Sequence, residues 1–194
     1  VDEVMELISY HAINTSSDLA VEKGSYPTFA GSKWSKGIFL IDTAKNEAKE
    51  LTKRNYNKDW EALRAKVKKN GMRNGYLMAI APTSSISILT GTTQTIEPIY
   101  KRKWFEENLS GLIPVTAPNI SPFTNEYYIS AYDLDQKDLV RAAAVRQKWI
   151  DQGQSLNIFV RINQASGKTL NEIYTLAWKL GCKSTYYLRS ESAE

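Results

Sequence analysis

Short apolar runs that alternate with capped amphipathic segments constrain this chain more than any other feature. Residues 155–162, SLNIFVRI, alternate as a half-buried strand does. Thr169-Leu170-Asn171-Glu172 then reads as a capping box, Thr at the N-cap and Glu at N3. The helix it opens packs Ile173, Leu176, Ala177 and Leu180 on one face and ends at Gly181. Residues 183–188 read as a strand again. Strand, helix, strand in this order predicts parallel βα units with their strand ends gathered on one side, an α/β fold. A third short apolar run, 77–81, bounded by Pro82, reads as the buried central strand.

Upstream, residues 2–22 read as a helix with Val4, Ile8, His11, Ala12 and Leu19 near one face, stopped by Gly24. On that stripe His11 reads as a core residue rather than a ligand. The segment 25–37 is irregular. A brief apolar run at 38–41 precedes a polar surface excursion at 43–56. Asn57 caps a helix over 57–70 with Trp60, Leu63 and Val67 on one face. Lys101-Arg102-Lys103, followed by Trp104, Phe105 and two glutamates, reads as a solvated face. Residues 111–123 hold three prolines and read as a long loop. Asp135 opens a helix reaching about 151, with Leu139, Ala143 and Ile150 as its buried stripe.

Composition narrows the classes. A 42% hydrophobic, 24% charged chain of 194 residues is ordinary globular material, long enough for a sizeable core. The net charge of +4, with acids interspersed among bases, suits anionic small molecules or a neutral role better than a nucleic-acid footprint. Cys182 is the only cysteine, which excludes an internal disulfide framework, and His11 is the only histidine. No CxxC, HExxH or GxGxxG pattern is present. No run reaches the length of a membrane span and no signal peptide opens the chain, so the reading is cytoplasmic.

The chemistry concentrates in residues 76–98, YLMAIAPTSSISILTGTTQTIEP. Thr83, Ser84, Ser85 and Ser87 put four hydroxyls in five positions after a strand and at a helix start. Such a turn presents free backbone N–H groups and the positive end of the helix dipole, an arrangement suited to phosphate. An ordinary Ser/Thr-capped turn has the same composition.

The segment APTSSISILTGTTQTIEPIYKRKW resembles the phosphate loop of the large (α) subunit of class I ribonucleotide reductases. Ile96-Glu97-Pro98 matches that family, as do Gly31-Ser32 through Lys36-Gly37, Met72-Arg73-Asn74, Ala144-Val145-Arg146-Gln147-Lys148 and Thr185-Tyr186-Tyr187, all in the same order. The resemblance runs over nearly the whole chain. It implies the C-terminal part of a catalytic domain built as a ten-stranded α/β barrel, parallel strands with helices outside. It implies that Thr83, Ser84, Ser85 and Ser87 hydroxyls, with nearby N–H groups including that of Ile86, hold the substrate diphosphate. Some relatives carry a hydroxyl residue where this chain has Ile86. It also implies that Tyr186 and Tyr187 pass a radical toward the active site. On a regular strand their rings would leave on opposite faces.

The whole enzyme of that family reduces ribonucleoside diphosphates to deoxyribonucleoside diphosphates. It needs a metal-radical small subunit, a dithiol reductant and allosteric nucleotides, none of them a cofactor held by this chain. The family's radical cysteine, redox cysteine pair and Asn-x-Cys-x-Glu segment have no counterpart here, nor has its ATP cone. Cys182, at a helix end, reads as structural. The isolated chain is therefore expected to be inactive. Its expected partners are the diphosphate substrate, the N-terminal part of the large subunit and the small subunit, with no membrane and no nucleic acid. The rival reading is a non-catalytic nucleotide-binding or interaction module derived from the same fold.

Overall fold

The computed structural model describes residues 1–109 and 111–191. The chain divides into two compact units, one of Val1–Ala79, Arg141–Gly153 and Leu176–Lys183, the other of Ile80–Val140, Gln154–Thr175 and Ser184–Glu194.

In the first unit, α1 (Asp2–Lys23) is followed by short helices α2 (Leu40–Thr43) and α3 (Asn46–Glu50), then by α4 (Trp60–Asn70). Asp59 rather than Asn57 caps α4, accepting the N–H of Ala62 at 2.9 Å. At its other end Gly71 takes φ +85°, and a Cβ there would lie 1.8 Å from Ser25 Oγ, so the turn admits glycine alone without rearrangement. The core gathers Ile13, Trp34, Phe39, Ile41, Leu63, Val67 and Met72 around the indoles of Trp60 and Trp149, which stack at 5.6 Å between centroids and 19° between planes.

The face of α1 differs from the expected one. Val4 and Ile8 are 59% and 47% exposed and His11 is exposed, whereas Asp2, Glu6, Ser9, Ile13, Ser16 and Ala20 are buried. His11 is thus no core residue. The cause is hydrogen bonding. Trp149 Nε1 donates to Asp2 at 2.6 Å, and Trp60 Nε1 donates to Glu6 at 3.0 Å. Arg54 reaches both carboxylates at 2.8 Å, and Lys148 Nζ reaches Asp2 at 2.8 Å. Two buried indole N–H groups and two cations need acceptors more than the core needs two more aliphatic side chains. Burial on its own would raise the Asp2 carboxyl, but the hydrogen bonds from Lys148 and Trp149 and the nearby charges outweigh it and hold it low. Glu6 is held low in the same way by Trp60, Arg54 and the Asn57 N–H against its burial.

In the second unit, α5 (Ser84–Thr90) precedes an antiparallel hairpin of β1 (Lys103–Asn108) and β2 (Gly111–Thr116), paired from Lys103↔Thr116 to Asn108↔Gly111. The three-proline stretch is therefore not a loop throughout. A two-stranded ribbon turns half its N–H groups to solvent, which lets it hold Pro114. Helix α6 (Gln136–Gln147), whose residues from Arg141 on belong to the first unit as do those of α7 from Leu176, begins where expected, Asp135 accepting the N–H of Lys137 at 2.9 Å, and ends four residues before the expected 151. Strand β3 (Ile158–Arg161) follows it, then α7 (Gly167–Lys179) and β4 (Leu188–Glu191). The α7 cap lies three residues ahead of the predicted box, with Ser166 Oγ accepting the N–H of Thr169 at 3.0 Å. Glu172 pairs instead with Lys137 at 2.8 Å.

Strands β3 and β4 are parallel, from Ile158↔Leu188 to Arg161↔Glu191, so the predicted βα unit is present with both strands displaced toward their C-terminal ends. The third predicted strand, 77–81, is reduced to a parallel bridge between Ile80 and Gln154. Its preceding N–H groups are taken by a side chain: Leu77 and Met78 both donate to the Asp151 carboxylate, at 2.7 and 2.8 Å. Among the described residues the strands form two two-stranded sheets and close no barrel.

Candidate functional site

The hydroxyl-rich turn lies in the second unit and carries backbone strain. Thr83 sits at φ 54°, ψ 22°, immediately before α5, and Thr95, five residues after the helix, at φ 64°. A β-branched residue in the left-handed region costs about 1–3 kcal/mol and persists where the surroundings impose it. Here they do: the Thr95 N–H donates to Pro82 O at 3.2 Å, pinning the two ends of the loop together. The Thr83 carbonyl accepts the Ser87 N–H at 2.9 Å, while the N–H groups of Ser84, Ser85 and Ile86 bond to nothing among the described residues. Thr83, Ser84 and Ser85 are exposed; Ser87 is buried, and its hydroxyl donates to Ser84 O at 2.9 Å. Ile86 points outward at 65% exposure. The turn therefore offers three unpaired donors and three free hydroxyls on one open surface, with Ser87 locking it from behind.

The two tyrosines are also in the second unit, and they do not diverge. Tyr186 and Tyr187 precede β4 in irregular backbone, so strand alternation does not apply, and their rings stand 4.0 Å apart at 45°. Both are about half exposed. The hydrogen bond to Tyr187 pushes the Tyr186 phenol up. Backbone bonds anchor the pair: Tyr186 N–H to Leu156 O at 2.7 Å, and Ile158 N–H to Tyr187 O at 3.0 Å.

Sequence reasoning missed what ties this pair to the segment following the turn. Glu97, the acid of the Ile-Glu-Pro motif, is buried and accepts the backbone N–H of Asn157 at 2.7 Å and its side-chain amide at 3.2 Å. Asn157 Oδ1 in turn accepts the Tyr187 N–H at 3.3 Å. Two residues on, Gln136 Oε1 accepts the Phe159 N–H at 2.8 Å. Side chains thus take the place of a neighbouring strand along β3. A buried glutamate flanked by isoleucine and proline was the available signal, since such an acid needs donors.

Cys182 lies in the first unit, at the end of α7, where its N–H bonds to Ala177 O at 3.0 Å. Burial pushes its thiol up to about 11. Nucleophilic reactivity follows the thiolate, so labelling of Cys182 by iodoacetamide, followed by mass spectrometry, is expected to be slow at neutral pH and to climb until about pH 11. A rate that levels off near pH 8.5 would contradict the burial argument. Among the described residues no cluster of His, Cys, Asp and Glu could hold a metal ion, and no helix is long and apolar enough to cross a membrane.

The family model described as the ribonucleotide reductase barrel domain matches residues 1–188. Among curated relatives, the ribonucleoside-diphosphate reductase subunit alpha of Helicobacter pylori is 72% identical over 99% of the chain. Those of Treponema pallidum and Chlamydia trachomatis are 41% and 39% identical over 100% and 99% of it. The chain spans about a quarter of the length of these relatives, 25% of the first and 22% of the other two.

Proposed function

The chain belongs to the ribonucleotide reductase barrel-domain family, and on that premise we propose that it is the phosphate-loop and tyrosine-pair portion of a ribonucleoside-diphosphate reductase large subunit. The observation that carries the reading is the strained turn with its three unpaired N–H groups, in the segment that resembles the family's phosphate loop. Ser84, Ser85 and Ile86 would give backbone N–H groups to the diphosphate, and Thr83, Ser84 and Ser85 would add hydroxyls. Ser87 would hold the turn in shape. Tyr186 and Tyr187, with their rings 4.0 Å apart, would relay a radical that arrives from a metal-bearing small subunit. The parallel pair β3–β4 would be one section of the ten-stranded barrel that the rest of the subunit completes. Ribose reduction itself would use cysteines outside this chain, a dithiol reductant and allosteric nucleotides.

The test is Ser84→Asp in the full-length subunit. A fixed carboxylate about 4 Å from a phosphate oxygen near the surface costs about 4 kcal/mol, so the substrate KM is expected to rise roughly a thousandfold. Ser85→Ala, which removes one hydroxyl and leaves the N–H groups, should weaken binding by about 1 kcal/mol, roughly fivefold. An unchanged KM for Ser84→Asp would place the diphosphate elsewhere.

A further inference from the structure

Arg189 is a half-buried cation with no carboxylate partner among the described residues. Its guanidinium carbon lies over two aromatic rings at once, 5.5 Å from the Tyr100 centroid and 5.8 Å from that of Tyr187. Tyr100 in turn faces Trp104 at 5.2 Å, and the Trp104 indole donates to Glu106 at 2.8 Å. Glu106 also neighbours the Tyr100 phenol, which burial first and that carboxylate second push up to about 12. The exposed Tyr186–Tyr187 pair is thus separated from a second aromatic cluster, Tyr100 and Trp104, by a single positive charge.

We propose that Arg189 is a positioning residue that confines a one-electron oxidation to Tyr186 and Tyr187 by holding a cation between them and Tyr100. This rests on the radical reading of the tyrosine pair given above. When a partner's phenoxyl radical oxidises Tyr187, the Tyr187 O–H bond breaks, an O–H bond forms on the incoming phenoxyl, and one electron moves with the proton. The charge at Tyr187 does not change. Passage onward to Tyr100 differs. The electron would fill the Tyr187 phenoxyl, which would take a proton from solvent, while the Tyr100 proton would pass to Glu106. The Tyr100–Glu106 site would then carry one more positive charge than before, beside a fixed guanidinium. Arg189 makes that step uphill and leaves the first one untouched. It also fixes the ring of Tyr187 by lying across its face.

The experiment uses the 194-residue chain with a ruthenium polypyridyl sensitiser and persulfate as the one-electron oxidant, read by transient absorption and electron paramagnetic resonance. Because Tyr76, Tyr127 and Trp178 are more exposed than the pair, the pair's phenoxyl signal is read as the part lost in Tyr186→Phe, Tyr187→Phe, and the Tyr100 signal as the part lost in Tyr100→Phe. Arg189→Gln is expected to raise the share of Tyr100 phenoxyl and indole radical about threefold, the scale of one exposed cation–π contact. Tyr100→Phe in the Arg189→Gln background should remove the increase, and Arg189→Lys, which keeps the charge, should behave as wild type. An unchanged distribution in Arg189→Gln, or a Lys variant indistinguishable from the Gln variant, would overturn the proposal. The double variant Tyr186→Phe, Tyr187→Phe is read separately. If it leaves the phenoxyl yield unchanged, the relay reading fails, whatever the Arg189 variants show.

Discussion

Lys148→Ala is expected to cost the first unit about 3–5 kcal/mol in urea unfolding followed by tryptophan fluorescence. Lys148 is 3% exposed, its Nζ bonds to Asp2 at 2.8 Å and to Thr52 Oγ1 at 2.7 Å, and it sits 5.5 Å from the Trp149 ring. Removing it strands half the charge compensation of a buried carboxylate, which is far costlier than never burying the pair. The double variant Asp2→Asn, Lys148→Met, which neutralises both partners at similar volume, should recover much of the loss. Asp2 and Glu6 are both held below their ordinary values. Their contribution is therefore fully present above the unfolded carboxylate range, and it is lost as pH falls through the lowered folded values. In Lys148→Ala the Asp2 value should rise, so acid unfolding should begin at higher pH. An unfolding midpoint that ignores both substitution and acid would show that the network contributes little.

The second large effect concerns turnover. On the proposed radical route, Tyr187→Phe in the full-length subunit, assayed with a radical-bearing small subunit, is expected to reduce deoxynucleotide formation to background while leaving the substrate dissociation constant unchanged. Phenylalanine keeps the ring that sits 4.0 Å from that of Tyr186, tilted at 45°, and lies under Arg189, and it removes the hydroxyl whose proton would leave with the electron on the proposed route. The backbone anchors of Tyr187 to Asn157 and Ile158 do not involve that hydroxyl, so the local fold should persist. Appreciable turnover in Tyr187→Phe would remove it from the radical route. Weakened substrate binding would instead assign it a structural role, acting through Asn157 and Glu97.

Local grammar was legible in the sequence. The four long helices and the parallel pairing of the segments around 158 and 188 follow from periodicity, and the Asp135 start of α6 from capping, both of which act over a few residues, while the caps of α4 and α7 lie at Asp59 and Ser166 rather than Asn57 and Thr169. What the sequence concealed depends on partners far along the chain. The buried face of α1 cannot be told from its apolar face without knowing that Trp149 and Trp60 bring indole N–H groups to Asp2 and Glu6. The segment at 77–81 has the composition of a strand, yet Asp151 takes its N–H groups. The same holds at the candidate site. The hydroxyl turn announces itself in five consecutive residues, whereas the positive φ of Thr83 and the Glu97–Asn157–Tyr187 tie are tertiary facts.

The stacked indoles of Trp60 and Trp149 have a spectroscopic consequence. Two identical chromophores 5.6 Å apart exchange excitation rather than absorbing independently, and the 19° between their planes gives the coupled transitions a handedness. The first unit is therefore expected to carry its own circular dichroism signature, present while Asp2 and Glu6 hold the two rings in register and lost when either lets go. A label-free optical band thus reports directly on four charged side chains that absorb nothing themselves.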